Sequence, residues 1–437
     1  MNTKNLIKVN CLRCFLLSMI MLVFAFSLAD KLVILSPHSE GHRREIGNAF
    51  QTYYQEKYKK NIDIEWLDQG GGSDILRFIL SEYKNKPSGI GVDLMYGGGV
   101  DPYLELSKAK HLQPYKINNE ILKKIPASLH GIPVYDPHYQ WYGTALSGFG
   151  ILRNDVAIKR SRLPVASNWA ELTDPRLMGW IGSADPRHSG SVHMMYEIIL
   201  QAYGWEKGWE VIEKMGANIK SFTQAASNTP IEVKTGNVAY GLSIDVYAWS
   251  QIADVGRDKM SFILPEGLTV INPDAIGILK GAPDKKEAEA FVSFVLSSQG
   301  QKLMMISPGA IDGPQKDPLY RMSVSPTVYK ELGKRSNIPV NPFTQKSVMK
   351  YDPLKASQRY GIVNDLIGSL IIDSHNELVE AARRAAPHLK RTVLCKPPIT
   401  EAEALKLAES IKNNPQLRNK LIADWTEYAR KNYSKIK

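Results

Sequence analysis

The hydrophobic pattern changes period several times along the chain. "KLVILS" (31–36) is a continuous apolar run of strand length. From Gly41 to Lys59 the positions Ile46, Ala49, Phe50, Tyr53 and Tyr54 fall near helical spacing, and "NIDIEWL" (61–67) returns to alternation. "GGGSDILRFILSEY" begins a helix behind three glycines, and "GVDLMYGGG" reads as a third strand. This β-α-β-α-β order predicts a parallel sheet with helices on its faces.

The pattern then breaks. "YDPHYQWYGTALSGFGILRN" (135–154) is aromatic, poor in helix signals and ends strand-like. It reads as a crossover into a second lobe holding "GWIGS" (179–183), a helix from Ser191, another from Trp205 to Met215, and "NVAYGLSID" (237–245). "GLTVINPDAIGILKG" (267–281) reads as the return crossover, followed by helices at 284–297 and 298–306. The expected organisation is lobe one from 30–143 plus 272–385, lobe two from 144–271, and a basic helical extension from 386–437. Segment 359–385 is expected to pack on lobe one. Segments 399–411 and 419–437 look helical and amphipathic, with Thr400 and Glu403 spaced as a capping box. Lobes joined by two strands can close over a ligand. Ligands of open parallel sheets sit at the carboxyl ends of strands.

The first 29 residues stand apart. Lys4, Lys8 and Arg13 precede the apolar run Cys14–Leu28, with small residues Ser27 and Ala29 before Asp30. That is the pattern of a cleaved secretory signal, short for a membrane span. Cys11 and Cys14 leave with it, so Cys395 has no partner for an internal disulfide and packing must hold the fold. The net charge of +11 is unevenly placed, because Lys334–Lys437 carries 19 basic and 10 acidic residues. The main body is near balance. The basic end reads as a solvated helical surface, and an exported protein meets little nucleic acid.

The loops after the strands carry the chemistry. They are "SPHSEGH" (36–42), "DQGGGSD" (68–74), "YGGGVDP" (96–102), "GSADPRHSGS" (182–191) and "TQAASNT" (223–229), most of them opening a helix. The first amides of a helix lack acceptors and carry partial positive charge. Glycines let backbone approach a ligand, and hydroxyls add donors, so converging ends suit an oxyanion. Gly71, Gly72, Ser73 and the Ser189, Gly190, Ser191 amides are the expected anion cradle, with Arg187 or His188 adding charge. Ser36, His38, Gly98, Gly99, Ser147 and Asn228 complete the loop set. Asp68, Asp245, Tyr247, Trp141 and Tyr142 are expected against the polar remainder of the ligand or a ring. Asp185 is expected to orient its loop or accept a hydroxyl. His193 and Glu197, four apart on a helix, are spaced as metal ligands but sit a turn or more from the amide end. They read better as a packed face.

"NWAELTDPRLMGWIGSADPRHSGS" resembles a stretch of bacterial extracellular solute-binding proteins, with Trp-x-x-Leu-x-Asp-Pro, a Gly, then Asp-Pro-x-x-Ser-Gly. "INPDAIGILKGAPDKKEAEAFVSFVLSSQGQKLM" and "VKTGNVAYGLSID" are similar to two further signatures of that family. The resemblance covers about residues 30–310. It implies the α/β, two-lobed type 2 periplasmic-binding fold, each lobe a mostly parallel sheet flanked by helices, plus a helical C-terminal extension. It also implies delivery of a solute to an inner-membrane ABC permease. With the loop cradle, the expected solute is a small anion, phosphorylated sugar or phosphonate-like, and the expected protein a soluble periplasmic monomer. No cofactor is expected. Ferric binders of this resemblance use adjacent tyrosines, and no such pair stands at "SIDVYAW". As the alternative, His38, Glu40, Asp245 and Tyr247 would serve ferric iron, a hard cation. An exported enzyme or a receptor-coupled sensor on the same fold ranks lower, since neither Gly-x-Ser-x-Gly nor His-Glu-x-x-His occurs.

Overall fold

The computed structural model describes residues 29–345, 349–385 and 395–436. The expected leader lies outside them except for Ala29. Strands β1 (Asp30–Leu35), β2 (Ile62–Leu67) and β3 (Leu94–Tyr96) alternate with helices α1 (Glu40–Tyr58), α2 (Gly72–Asn85) and α3 (Val100–Lys108). β1 pairs in parallel with both β2 and β3. The next elements are β4 (Tyr142–Asn154), β5 (Ile181–Ala184), α4 (Gly190–Tyr203), α5 (Trp205–Gly216), β6 (Ile219–Thr223) and α6 (Asn228–Thr235). β7 (Tyr240–Ile244), α7 (Asp245–Val255), β8 (Ile271–Leu279) and α8 (Lys285–Leu296) follow. The strands join in the order β2-β1-β3-β8-β4-β7-β5-β6.

β4 explains how one chain makes two halves. Its residues Tyr142–Gly148 pair antiparallel with β8, and its residues Phe149–Arg153 pair antiparallel with β7. β7 and β6 then pair in parallel with β5. The change of partner falls between Gly148 and Phe149. All but Arg153 of β4 is buried, which fits its near-continuous apolar run. The first half buries Leu32, Ile34, Phe50, Phe291 and Phe294 on one face of its sheet. Val33, Leu35, Ile75 and Met95 are buried on the other.

The C-terminal helices pack on both halves. They are α9 (Pro353–Ile367), α10 (His375–Ala385), α11 (Glu401–Ile411) and α12 (Pro415–Ser434). Ile362, Val363, Leu366, Leu378, Ala404, Trp425 and Tyr433 share a core with Ile198 and Ile212 of the second half. α9 also packs along α3 of the first half, and α11 reaches α3 through the Lys108–Glu409 and Lys412–Glu105 ion pairs. A buried charge cluster fixes the contact with the second half. Arg359 on α9 is fully buried, and its guanidinium lies 2.7 Å from Glu197 of α4 and pairs also with Glu401 of α11. It stands over the Trp205 ring at 5.2 Å. Arg418 of α12 holds Asp365 of α9 at 2.7 Å. Thr400 and Glu403 form the expected capping box at the start of α11.

Removing one partner of a buried ion pair strands the other charge in the core. Arg359→Leu should therefore lower unfolding free energy by about 3–5 kcal/mol, measured by chemical denaturation. A loss below about 1 kcal/mol, the range of an exposed pair, would show that the C-terminal helices are only loosely attached.

Candidate functional site

The helix starts of both halves open on one cavity of about 500 Å³. From the first half come Ser39 and Glu40 of α1, Gly71 and Gly72 of α2, and Gly98 and Gly99 before α3. From the second come Ser189, Gly190 and Ser191 of α4, Ser227 before α6, and Ile244 and Val246 at α7. Ser39 and Ser189 cap their helices with their side chains, accepting from His42 and Val192 amides. The remaining first-turn amides give the wall a positive character.

Three segments remote in sequence meet in the cavity floor. Asp274, on β8, lies 2.9 Å from Arg321 and 2.9 Å from His38 Nε2. Arg321 Nη1 also donates to Ser147 Oγ at 3.3 Å. Burial pushes the Asp274 carboxyl up, but Arg321 and His38 together hold it below its ordinary value. Burial pushes His38 down, so its imidazole is neutral. Its Nε2–H donates to Asp274, and Nδ1 accepts from Ser36 Oγ at 3.0 Å. His42 stacks on His38 at 4.0 Å and bonds the Tyr96 hydroxyl at 3.0 Å. Gly97 has φ +109, and a Cβ there would stand 2.6 Å from His38 Cε1, so glycine is what admits this ring. Arg321 is 5% exposed and its Nε has no hydrogen-bond partner among the described residues. Such an orphan donor is costly unless a ligand or water completes it.

The two expected cradle loops touch across the cleft. Arg77 Nη1 donates to the Arg187 carbonyl at 2.7 Å, and Ser73 Oγ to the Pro186 carbonyl at 3.4 Å. A Cβ on Gly71 would fall 1.9 Å from the His188 carbonyl oxygen, whereas one on Gly72 would meet nothing within 4 Å. Tyr360 of α9 sits beside them, hydrogen-bonded to Ser73 and with its ring 3.7 Å from that of His193. The rim carboxylates are already engaged. Glu40 pairs with Arg44, Asp68 with Arg43, and Asp74 with Arg77.

The sequence candidates divide accordingly. His38, Asp68, Gly71, Gly72, Gly98, Gly99, Ser147, Ser189, Gly190, Ser191 and Tyr247 line the cavity, as do Glu40 and His188. Ser36 and Ser73 stand behind the wall, both buried, and support His38 and Tyr360. The others are corrections. Trp141 packs among Leu35, Ile75 and Met95 in the first-half core. Tyr142 gives its hydroxyl to the Tyr115 carbonyl at 2.6 Å. Their aromatic stretch leads into β4, and both rings are buried. Asp185 is committed to the Arg187 amide and guanidinium, and Arg187 also to Asp373, so that pair fixes the loop and adds no charge to the cavity. Asn228 starts α6 one residue beyond the lining stretch Gln224–Ser227.

Asp245 spends both oxygens on the amides of Gly148 and Val246, at 2.8 and 2.7 Å, and burial pushes its carboxyl up to about 7. With both His38 ring nitrogens bonded as well, neither His38 nor Asp245 of the ferric set offers a free ligating atom. Among the described residues no three His, Cys, Asp or Glu side chains gather as a metal cluster. Arg43, Asn272, Asp274, Arg321 and Tyr360 were missed by the sequence reading. The signal for two of them was visible, since Asn272 and Asp274 interrupt an apolar strand at a two-residue interval and so share a face.

Residues 99–307 match the family model described as "Bacterial extracellular solute-binding protein". The Salmonella typhimurium "Phosphoglycerate transport regulatory protein PgtC" is 24% identical over 57% of this chain and 64% of its own, less than two thirds of that relative's length. The periplasmic binding protein AfuA of Actinobacillus pleuropneumoniae, solved with fructose-6-phosphate, superposes with a TM-score of 0.62 at 20% identity, covering 80% of this chain and 97% of AfuA. The apo ferric ion-binding protein A of Pasteurella haemolytica gives 0.58 at 15% identity over 78% of this chain and 97% of its own. Identities this low establish the fold. Among the described residues no helix is long and apolar enough to cross a membrane.

The His193 and Glu197 face is packed as expected, with His193 Nδ1 2.7 Å from Asn364 Oδ1 and Glu197 on Arg359. Burial pushes His193 down to about 4, so the unfolded chain takes up this proton first as pH falls. Stability from neutral His193 is intact above the unfolded value of 6.5 and drains away between 6.5 and about 4. The buried Asp245 titrates in the opposite sense, so the test is a difference between proteins. Relative to His193→Gln, the natural protein should lose about 3 kcal/mol over that interval, measured by denaturation at stepped pH. Parallel profiles would contradict a neutral buried imidazole.

Proposed function

We propose, from the match of residues 99–307 to the bacterial extracellular solute-binding family, that this protein is such a solute-binding protein, that it captures a small anionic solute, phosphorylated sugar or phosphonate-like, between its lobes, and that it delivers it to an inner-membrane ABC permease. The observation that carries the anion is Arg321. Its guanidinium is buried at the cavity floor, balanced by Asp274, and its Nε–H has no partner among the described residues where several helix starts converge. An oxyanion supplies acceptors to that N–H and to the first-turn amides of both halves at once. It thereby bonds one half to the other, which is how a solute would hold such a cleft shut. Arg43 adds a second cation at the rim, already sharing Asp68. The cavity volume lies in the range of ordinary small-molecule sites, about 300–1,000 Å³. Two of the proteins it resembles point the same way, PgtC being named for phosphoglycerate transport and AfuA holding fructose-6-phosphate, whereas the Pasteurella haemolytica neighbour binds ferric ion.

The two neighbouring glycines separate charge from bulk. Gly72→Ala should leave affinity for a phosphorylated solute within about threefold, because its Cβ has open space. Gly72→Asp should abolish binding, by placing a carboxylate against the anion. Gly71→Ala should weaken binding by an order of magnitude or more, because its methyl would meet the His188 carbonyl oxygen at 1.9 Å where the two loops touch. Arg321→Gln should cost about 2–5 kcal/mol of binding free energy. Calorimetric titration with inorganic phosphate and a panel of sugar phosphates and phosphonates reads all four. Unchanged affinity in Gly72→Asp would refute the anion cradle.

A further inference from the structure

One wall of the cavity is built of acceptors instead of donors. Asp101, in the first turn of α3, and Asn272, on β8, both line it. They are 4% and 2% exposed. Among the described residues neither Asp101 Oδ1 nor Asn272 Oδ1 has a hydrogen-bond partner. Asn272 turns its Nδ2 toward the Met194 sulfur at 4.0 Å, which leaves its oxygen over. The Tyr351 hydroxyl bonds the Asp101 carboxyl, so Oδ1 is the oxygen that remains. Tyr351 also reaches Met194 Sδ at 3.1 Å, placing both acceptors around that side chain.

Two buried acceptors and one buried donor therefore stand unpaired in a single cavity. The donor, Arg321 Nε, asks for an acceptor; Asp101 and Asn272 ask for donors. An anion alone satisfies only the first. Resting on the anion reading above, we infer that Asp101 and Asn272 are specificity-determining residues that read hydroxyl groups carried on the body of the anionic solute. A ligand lacking those hydroxyls would leave both oxygens desolvated and unpaired, the situation in which a hydrogen-bonding site rejects an analogue most strongly. A hydroxyl suits the wall better than an ammonium. Burial, with Glu197 nearby, pushes the Asp101 carboxyl up to about 8, so near neutral pH it is mostly uncharged and draws no cation.

The test compares a hexose phosphate with its ring-deoxygenated analogue, cyclohexylmethyl phosphate, by calorimetry on the full-length exported protein. Inorganic phosphate and aminoethyl phosphate serve as further probes. The hexose phosphate should bind at least about 100-fold more tightly than the analogue. Asn272→Leu and Asp101→Leu should each weaken the hexose phosphate at least tenfold while leaving cyclohexylmethyl phosphate within about threefold. Asp101→Asn, which keeps an acceptor, should retain most of the discrimination. Equal affinity for the two probes in the unmodified protein overturns the inference even if the variants do not fold. So does discrimination that survives in folded leucine variants, binding of inorganic phosphate with neither organic probe, or a preference for aminoethyl phosphate over the hexose phosphate. Failure of every anion to bind instead removes the anion reading on which the inference stands.

Discussion

A carboxylate and a guanidinium, buried together where the two halves of the sheet meet, set the terms for the rest of the molecule. Asp274 and Arg321 stand 2.9 Å apart with side chains 9% and 6% exposed. Either charge alone would cost several kcal/mol to remove from water. Together, and with His38 donating to the same carboxylate, they are affordable in the interior. They also tie the first loop, the return strand and a segment beyond residue 310 to one point. The pair comes close to neutralising itself, so the proposed hold on an anion would be directional. It would reside in the guanidinium N–H groups that Asp274 and Ser147 leave over, Nε–H among them, and in backbone amides at helix starts.

The C-terminal helices extend the same logic. Arg359 is wholly enclosed by Glu197, Glu401 and the Trp205 ring, which anchors α9 to the second half. From that anchor Tyr360, the next residue, reaches Ser73 of the first half. α9 thus packs on both sides of the cleft, against α3 of the first half and α4 of the second, and contributes Tyr360 to a wall of the cavity.

Much of the fold was legible because it rests on periodicity. β1 to β3, their helices and the two crossovers all follow from apolar spacing and glycine punctuation. The glycine and serine loops were legible for a related reason, since helix starts have a composition. Three things were not. Arg321 is one arginine in an irregular segment, and nothing in "YRMSVSP" distinguishes it from a surface residue. The contact of α9 with the second half went unseen because an amphipathic pattern says that a face is buried and not against what. Trp141 and Tyr142 were drawn to the cleft by their aromatic character, yet Trp141 is buried just before β4 and Tyr142 begins it, both packed in the interior where bulk apolar rings belong. Asp185 and Asp245 spend their oxygens on local amides and on Arg187 instead of on a ligand, a commitment that residue type and spacing do not reveal.

The claim that a compact oxyanion bridges the two halves is tested most directly by weighing what the purified protein carries. Native mass spectrometry of the undenatured protein should show one bound solute that, once released in the gas phase, fragments to a phosphate or phosphonate ion. The bound mass should vanish in Arg321→Gln. A ferric ion, a polyamine or an uncharged sugar in its place would contradict the account.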